Sequence, residues 1–159
     1  MKTVYTRQEP TQSISSSSSP ASFAGLPSEQ AIVFFDGICH LCNGVVDTLL
    51  RHDTQHTMLY APLQGTTYKE LRTYYPHAPD SLDTVIVYHH HVLYTQSSAV
   101  LHIARLLGGP WKLLLVFTII PRSIRDMLYR VIARYRYTIF GRHDHCRMPT
   151  PDERAYFLP

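Results

Sequence analysis

The sequence predicts an α/β sandwich built on a mixed sheet, and three observations carry that prediction. Ala31 to Phe35 is a short continuous apolar run, suited to a strand buried on both faces. Downstream, strand-like runs alternate with segments of helical period and end in a hairpin followed by a helix, the pattern of strands and helices in separate packed layers. Between the first strand and the first helix stand Asp36-Gly37 and then Cys39 and Cys42, three positions apart. A strand, a tight turn and a C-x-x-C at the mouth of a helix form the usual frame of a thiol-disulfide centre.

The elements follow in order. Residues 1–28 are poor in large apolar side chains and include five consecutive serines, Ser15 to Ser19, so this stretch is expected to be a flexible tail. Gln8 to Ser19 supplies no apolar core for a secretory signal; a short organellar transit peptide stays open as an alternative, with Glu9 and only two basic residues before Ser13 counting against it. After the Ala31–Phe35 strand, Cys42 to Arg51 reads as a helix and Met58 to Leu63 as a second strand ended by Gln64-Gly65. Thr67 to Tyr75 is a short helix closed by Pro76 and Pro79. Thr84 to Tyr88 and Val92 to Thr95 are strands joined at His89-His90-His91, which is expected to be a solvated turn. Ser97 is placed to cap a helix over Ser98 to Leu107, with Gly108-Gly109 as its stop. The β-α-β-α-β-β-α order is the thioredoxin-like βαβ-ββα sandwich.

A helical extension starts near residue 110, where Pro110 opens a helix that Pro121 interrupts. Ile124, Met127, Leu128, Val131, Ile132 and Tyr135 then recur at helical spacing, with Arg122, Arg125, Arg130, Arg134 and Arg136 largely outside that stripe. The expectation is an apolar stripe turned inward, arginines turned to solvent, and Trp111 anchoring the extension in the core. The domain is expected to run over 29–150, with 151–159 as a C-terminal tail.

Bulk properties agree with one soluble domain. The 159 residues are 45% hydrophobic and 17% charged, enough for a real core. Three cysteines are too few for a disulfide scaffold. The longest apolar run, Leu113 to Ile120, is far short of the roughly 20 residues of a membrane-spanning helix, so a cytoplasmic protein without a transmembrane segment is expected. The formal charge of +3 is unevenly spread: residues 1–104 carry −3 and residues 105–147 carry +7. No aromatic-basic recognition motif accompanies the basic half, so nucleic acid is not an expected partner.

The chemistry expected of the pair follows from helix ends. Unpaired N–H groups and the macrodipole at a helix N-terminus favour a thiolate. Cys39 is therefore expected to be exposed and activated as the attacking thiol, with Cys42 one turn further in as the resolving thiol. His40 either lowers the thiol pKa as a cation or points into solvent. Asp36 either accepts backbone N–H bonds at the turn or takes the proton of the buried thiol through water. A rival reading is a non-catalytic, zinc-stabilised or partner-binding module, with Cys39 and Cys42 joined by His143, His145 and Cys146 as ligands. Cys146 is otherwise expected to be an inert buried thiol.

Phe35-Asp-Gly-Ile-Cys-His-Leu-Cys-Asn-Gly44 resembles the signature of the DCC family of thiol-disulfide oxidoreductases, named for one Asp and two Cys. The similarity continues through Ser98-Ala99, Leu107-Gly-Gly-Pro-Trp111, Ile120-Pro-Arg122, Tyr129 to Arg134 and Tyr137 to Pro149. It implies a thioredoxin-like fold, a redox role for Asp36, Cys39 and Cys42, and a protein or small-molecule thiol or disulfide as substrate, with no resident cofactor. Locally, Leu93 to Val100 resembles the strand-to-helix step of glutathione transferases and glutaredoxin relatives, where a Gln/Glu-Ser pair holds a glutathione carboxylate. Gln96 and Ser97 match that pair, which would make glutathione a thiol donor; a plain N-cap is the competing role for Ser97. One departure stands out: thioredoxin-like proteins usually carry a cis-proline before the third strand. Leu82-Asp-Thr-Val85 has none, which leaves Thr84 to occupy that substrate-facing position.

Overall fold

A computed structural model describes residues 29–80, 84–142 and 148–159. The strands are β1 (Ala31–Phe35), β2 (Met58–Pro62), β3 (Ile86–His89) and β4 (Val92–Thr95); the helices are α1 (His40–His52), α2 (Thr66–Tyr74), α3 (Gln96–Leu107) and α4 (Arg122–Phe140). The sheet order is β2-β1-β3-β4. β1 pairs parallel to β2, Val33 facing Tyr60, and antiparallel to β3, Val33 facing Val87; β4 closes the edge antiparallel to β3. This is the expected thioredoxin-like arrangement.

Alternation along β1 explains the layering. Ile32 and Phe34 pack with Leu71 and Tyr68 of α2 on one face. Ala31, Val33 and Phe35 pack with Val46 and Leu49 of α1 and with Ala99 and Ile103 of α3 on the other. All five β1 residues are buried, which is why this run is continuously apolar rather than alternating. Each of the Ile, Val and Phe side chains contributes about 1.5–3 kcal/mol by leaving water. Asp53, at the end of α1, sets the register into β2: its carboxylate accepts the Thr57 and Met58 N–H groups at 3.0 and 2.9 Å.

Four expectations change. Residues 154–159 are no tail: Leu158 N–H donates to Tyr60 O at 2.8 Å, Phe157 pairs beside β2, and Pro159 O accepts from Thr67. The last residue lies so close to Gly65 that a Cβ there would stand 2.8 Å from the Pro159 carbonyl. Ser97 is not the cap of α3; Thr95 holds that position without a side-chain bond, and the Ser97 hydroxyl donates to Asp126 of α4. The segment opened by Pro110 is a 3-10 helix, Gly109–Ile119, with no buried residue. Trp111 is half-buried at its edge, its ring against His52, rather than central to the core.

The fourth change concerns α4. The helix turns its polar side inward: Ala133 and Arg136 are its buried residues, and Asp126 and Tyr129 are half-buried, while Leu128, Val131 and Ile139 stand exposed. The reason is the set of polar partners awaiting that face. Asp126 takes the Ser97 hydroxyl and the Arg122 guanidinium, and the Tyr129 hydroxyl accepts the Val85 N–H at 2.8 Å. Arg136, expected in solvent, reaches the buried carboxylate of Asp36.

The expected N-terminal tail of residues 1–28 lies outside the described residues, as do His143, His145 and Cys146 of the zinc reading. Among the described residues no helix is long and apolar enough to cross a membrane, and no group of three or more His, Cys, Asp or Glu is placed to hold a metal ion.

Candidate active site

The β1 strand ends at Phe35 and delivers Asp36 into the interior. The Asp36 carboxylate receives four donors. Ile38 N–H (3.2 Å) and Gln64 Nε2 (2.8 Å) bind Oδ1; Arg136 Nη2 (2.7 Å) and the Tyr137 hydroxyl bind Oδ2. The Ile38 bond is the expected turn contact. Four donors fill the roughly four acceptor sites of a carboxylate. Its role extends beyond the turn, because Arg136 and Tyr137 bring the end of α4 onto it. For Arg136, burial works against the charge, but the Tyr137 hydrogen bond and the fields of Cys42, Tyr137 and Asp36 outweigh it, so the guanidinium stays protonated.

Asn43 Nδ2 donates to Gly37 O at 3.1 Å and fastens the turn to α1. Cys39 is the N-cap of that helix, in extended conformation, and its Sγ accepts the Cys42 N–H at 3.5 Å. Both cysteines are free thiols, and the two residues approach to 3.3 Å. Cys39 thus occupies the helix N-terminus as expected, but it has no exposed surface. The chain reverses beside it at the end of α4. Gly141, at φ +74°, ends the helix in the left-handed region that glycine tolerates, and the backbone of Arg142 then pairs antiparallel with Cys39. His40 is exposed, and a Cβ on Gly141 would stand 3.5 Å from its ring.

Cys42 is the more accessible of the two. Burial, the hydrogen bond to Cys39 and the charge of Cys39 push its thiol up to about 12, against the pull of Arg136. It lines a cavity of 270 Å³ between α1, α3, the 3-10 segment and α4, whose walls include Val46, Ile103, Trp111 and Ile132, with Arg136 among the few polar groups.

Of the remaining expected site residues, Thr84 and Gln96 gather at Val85 and Tyr129, which line the same cavity as Cys42, whereas Ser97 faces Asp126. Gln96 N–H donates to Thr84 Oγ1 at 3.3 Å, and Gln96 itself sits at φ +52°. Thr84 is buried beside Tyr129, whose hydroxyl titration is raised by burial. Ser97 is engaged by Asp126, so a bound carboxylate there would face an acid already in place. Arg136, Tyr137, Gln64 and Arg142 are the contributors that sequence reasoning missed. A signal for Arg136 lies in its helical position, in line with Asp126, Tyr129 and Ala133 rather than with Arg130 and Arg134.

A four-stranded mixed sheet carrying a dithiol at the N-terminus of its first helix defines a thioredoxin-like protein with a candidate redox pair. The chain belongs to the DCC1-like thiol-disulfide oxidoreductase family, whose model matches residues 33–142. It is 34% identical to YuxK of Bacillus subtilis, a protein described as uncharacterised, over 128 residues, 80% of this chain and 93% of that one. It is also 35% identical over 121 residues to a DCC family protein of Arabidopsis thaliana described as chloroplastic, covering 76% of this chain and 70% of that one. No solved structure matches. The match of residues 33–142 spans Asp36, both cysteines and Arg136, and the family's name points to redox function and thiol substrates.

Proposed function

We propose that the protein exchanges disulfides with a protein or small-molecule partner through Cys39 and Cys42. One observation carries the assignment of roles: Cys39 Sγ accepts the Cys42 N–H at the α1 N-cap, the geometry that steadies a sulfur anion, while the Cys42 thiol is pushed up to about 12 and stays protonated. Cys39 thiolate attacks one sulfur of the partner disulfide. A Cys39–partner disulfide forms, and the partner's other sulfur leaves as a thiolate. Cys42 then loses its proton and attacks Cys39 Sγ, forming the Cys39–Cys42 disulfide and releasing the second partner thiol. Two electrons pass from the pair to the partner, and the same steps in reverse oxidise a dithiol. A thiol donor such as glutathione returns the pair to its reduced form.

Access shapes the first step. Cys39 has no exposed surface and its backbone pairs with that of Arg142, so a partner disulfide reaches the sulfur only after a local opening, for which this short antiparallel bridge is the candidate. The test is a pair of variants. Cys42→Ser should stall as a mixed disulfide on Cys39 when given a partner disulfide, and Cys39→Ala should lose disulfide reductase activity. Activity unchanged in Cys39→Ala would show that another thiol attacks.

A further inference from the structure

Among the described residues, the outward side of α4 and the 3-10 segment before it has no partner. Leu113 is 79% exposed, Ile119 81% and Ile139 68%, and Leu128 and Val131 are about half exposed. At 100° per residue, Ile124, Leu128, Val131, Tyr135 and Ile139 form one stripe on α4, opposite the Asp126, Tyr129, Ala133 and Arg136 side that meets the sheet domain. Contiguous apolar surface of this kind on a folded chain marks an interaction site.

Charge identifies the occupant. Arg134 flanks the stripe along one edge, with exposed Arg130 further round on the same side, and Arg125 flanks it along the other. Residues 109–142 carry seven basic side chains and a single acid, Asp126, which is already held by Ser97 and Arg122. A second copy seated on this face by two-fold symmetry would set like-charged arginine edges against each other. An anionic lipid surface matches both features: the stripe enters the boundary between headgroups and acyl chains while the arginines meet phosphates. We propose that α4 and the 3-10 segment form a docking face for an anionic membrane surface, on which the protein lies without spanning it. Ile132 belongs both to this face, at 57% exposed, and to the wall of the cavity at Cys42, so docking would set the redox pair's cavity beside the lipid.

The test is sedimentation of the full chain with vesicles of phosphatidylcholine, with and without about one third phosphatidylglycerol, alongside sedimentation velocity without lipid. The expected result is binding to the anionic vesicles alone, weakened by salt and lost in Leu128→Asp and Val131→Asp. Arg130→Ala and Arg134→Ala should each lower the partition coefficient about fivefold. A Cys39→Ala/Cys42→Ala variant should bind as the parent does, which separates docking from disulfide exchange. Circular dichroism of the exposed-site variants should match the parent. Absence of binding to anionic vesicles, or equal binding to neutral ones, overturns the proposal. So does a lipid-independent dimer that Val131→Asp dissociates, which would make this face a contact between two copies.

Discussion

Arg136 and Asp36 stand 100 positions apart in the chain and form a buried ion pair of 2.7 Å beside the redox dithiol. The pair explains why a basic helix outside the sandwich belongs to the same unit as the C-x-x-C turn. α4 is held at this end by a charge sunk into the sheet domain, and the end of that helix in turn covers Cys39. Removing one member leaves the other's charge in the interior without its counter-ion, although its remaining hydrogen bonds persist. Arg136→Ala should therefore cost about 3–5 kcal/mol, and the double variant Asp36→Asn/Arg136→Met should recover much of that loss. Urea unfolding of the single and double variants measures both. A loss below about 1 kcal/mol for Arg136→Ala would mean that the pair does not hold the extension.

Gly141 controls the cover over Cys39. Its left-handed conformation resists any side chain, so Gly141→Ala should cost about 1 kcal/mol and loosen the Arg142 bridge. Alkylation of Cys39 by iodoacetamide, followed by mass spectrometry, should then run faster than in the parent. An unchanged rate would show that the bridge does not limit access.

Stability should fall on mild acidification because of His102. Its ring is buried against Tyr94 and shares a 3.0 Å contact with His89 Nδ1, and burial with the nearby positive charges lowers its pKa to about 4. Unfolded, the same group titrates near 6.5. The unfolded chain therefore binds the proton first. Neutral His102 gives its full stability above about pH 6.5, and that stability is lost as the pH falls toward 4, on the order of 2 kcal/mol. His102→Gln should flatten the profile of unfolding free energy between those limits. A slope equal to the parent's would assign the acid sensitivity to other groups.

The C-terminal residues are part of the domain, so their removal should be costly. Phe157 packs on Phe35 and Tyr60, and the Leu158 N–H pairs with the Tyr60 carbonyl. Deleting residues 157–159 should lower stability by about 3 kcal/mol, the scale of losing one large aromatic contact from a core. Thermal unfolding of the truncated chain measures this, and an unchanged midpoint would return the segment to the status of a tail.

The sandwich was legible in the sequence because its elements announce themselves locally. β1 is one apolar run, β4 coincides with the Val92–Thr95 run, and Gly108 stops α3 at Leu107 as expected. The dithiol was legible for the same reason, as a turn and a helix mouth within eight residues. What was hidden depends on contacts made at long range. A helix with a clean apolar stripe is read as turning that stripe inward, yet α4 is oriented by Asp126, Tyr129 and Arg136, whose partners lie 29 to 100 positions away. Burial of Cys39 was hidden in the same way, since it depends on where Arg142 returns. Ser97 shows that a good capping residue at a helix start can be taken by a carboxylate from another element.

The central claim is that Cys39 and Cys42 interconvert between dithiol and disulfide. The most direct measurement equilibrates the full chain in glutathione or dithiothreitol buffers spanning about −180 to −300 mV and maps the disulfides by mass spectrometry, with metal content determined on the same sample. The account predicts a single reversible two-electron transition that joins Cys39 to Cys42. No such disulfide at any potential in that range, or stoichiometric zinc that is lost in Cys39→Ser, would contradict it.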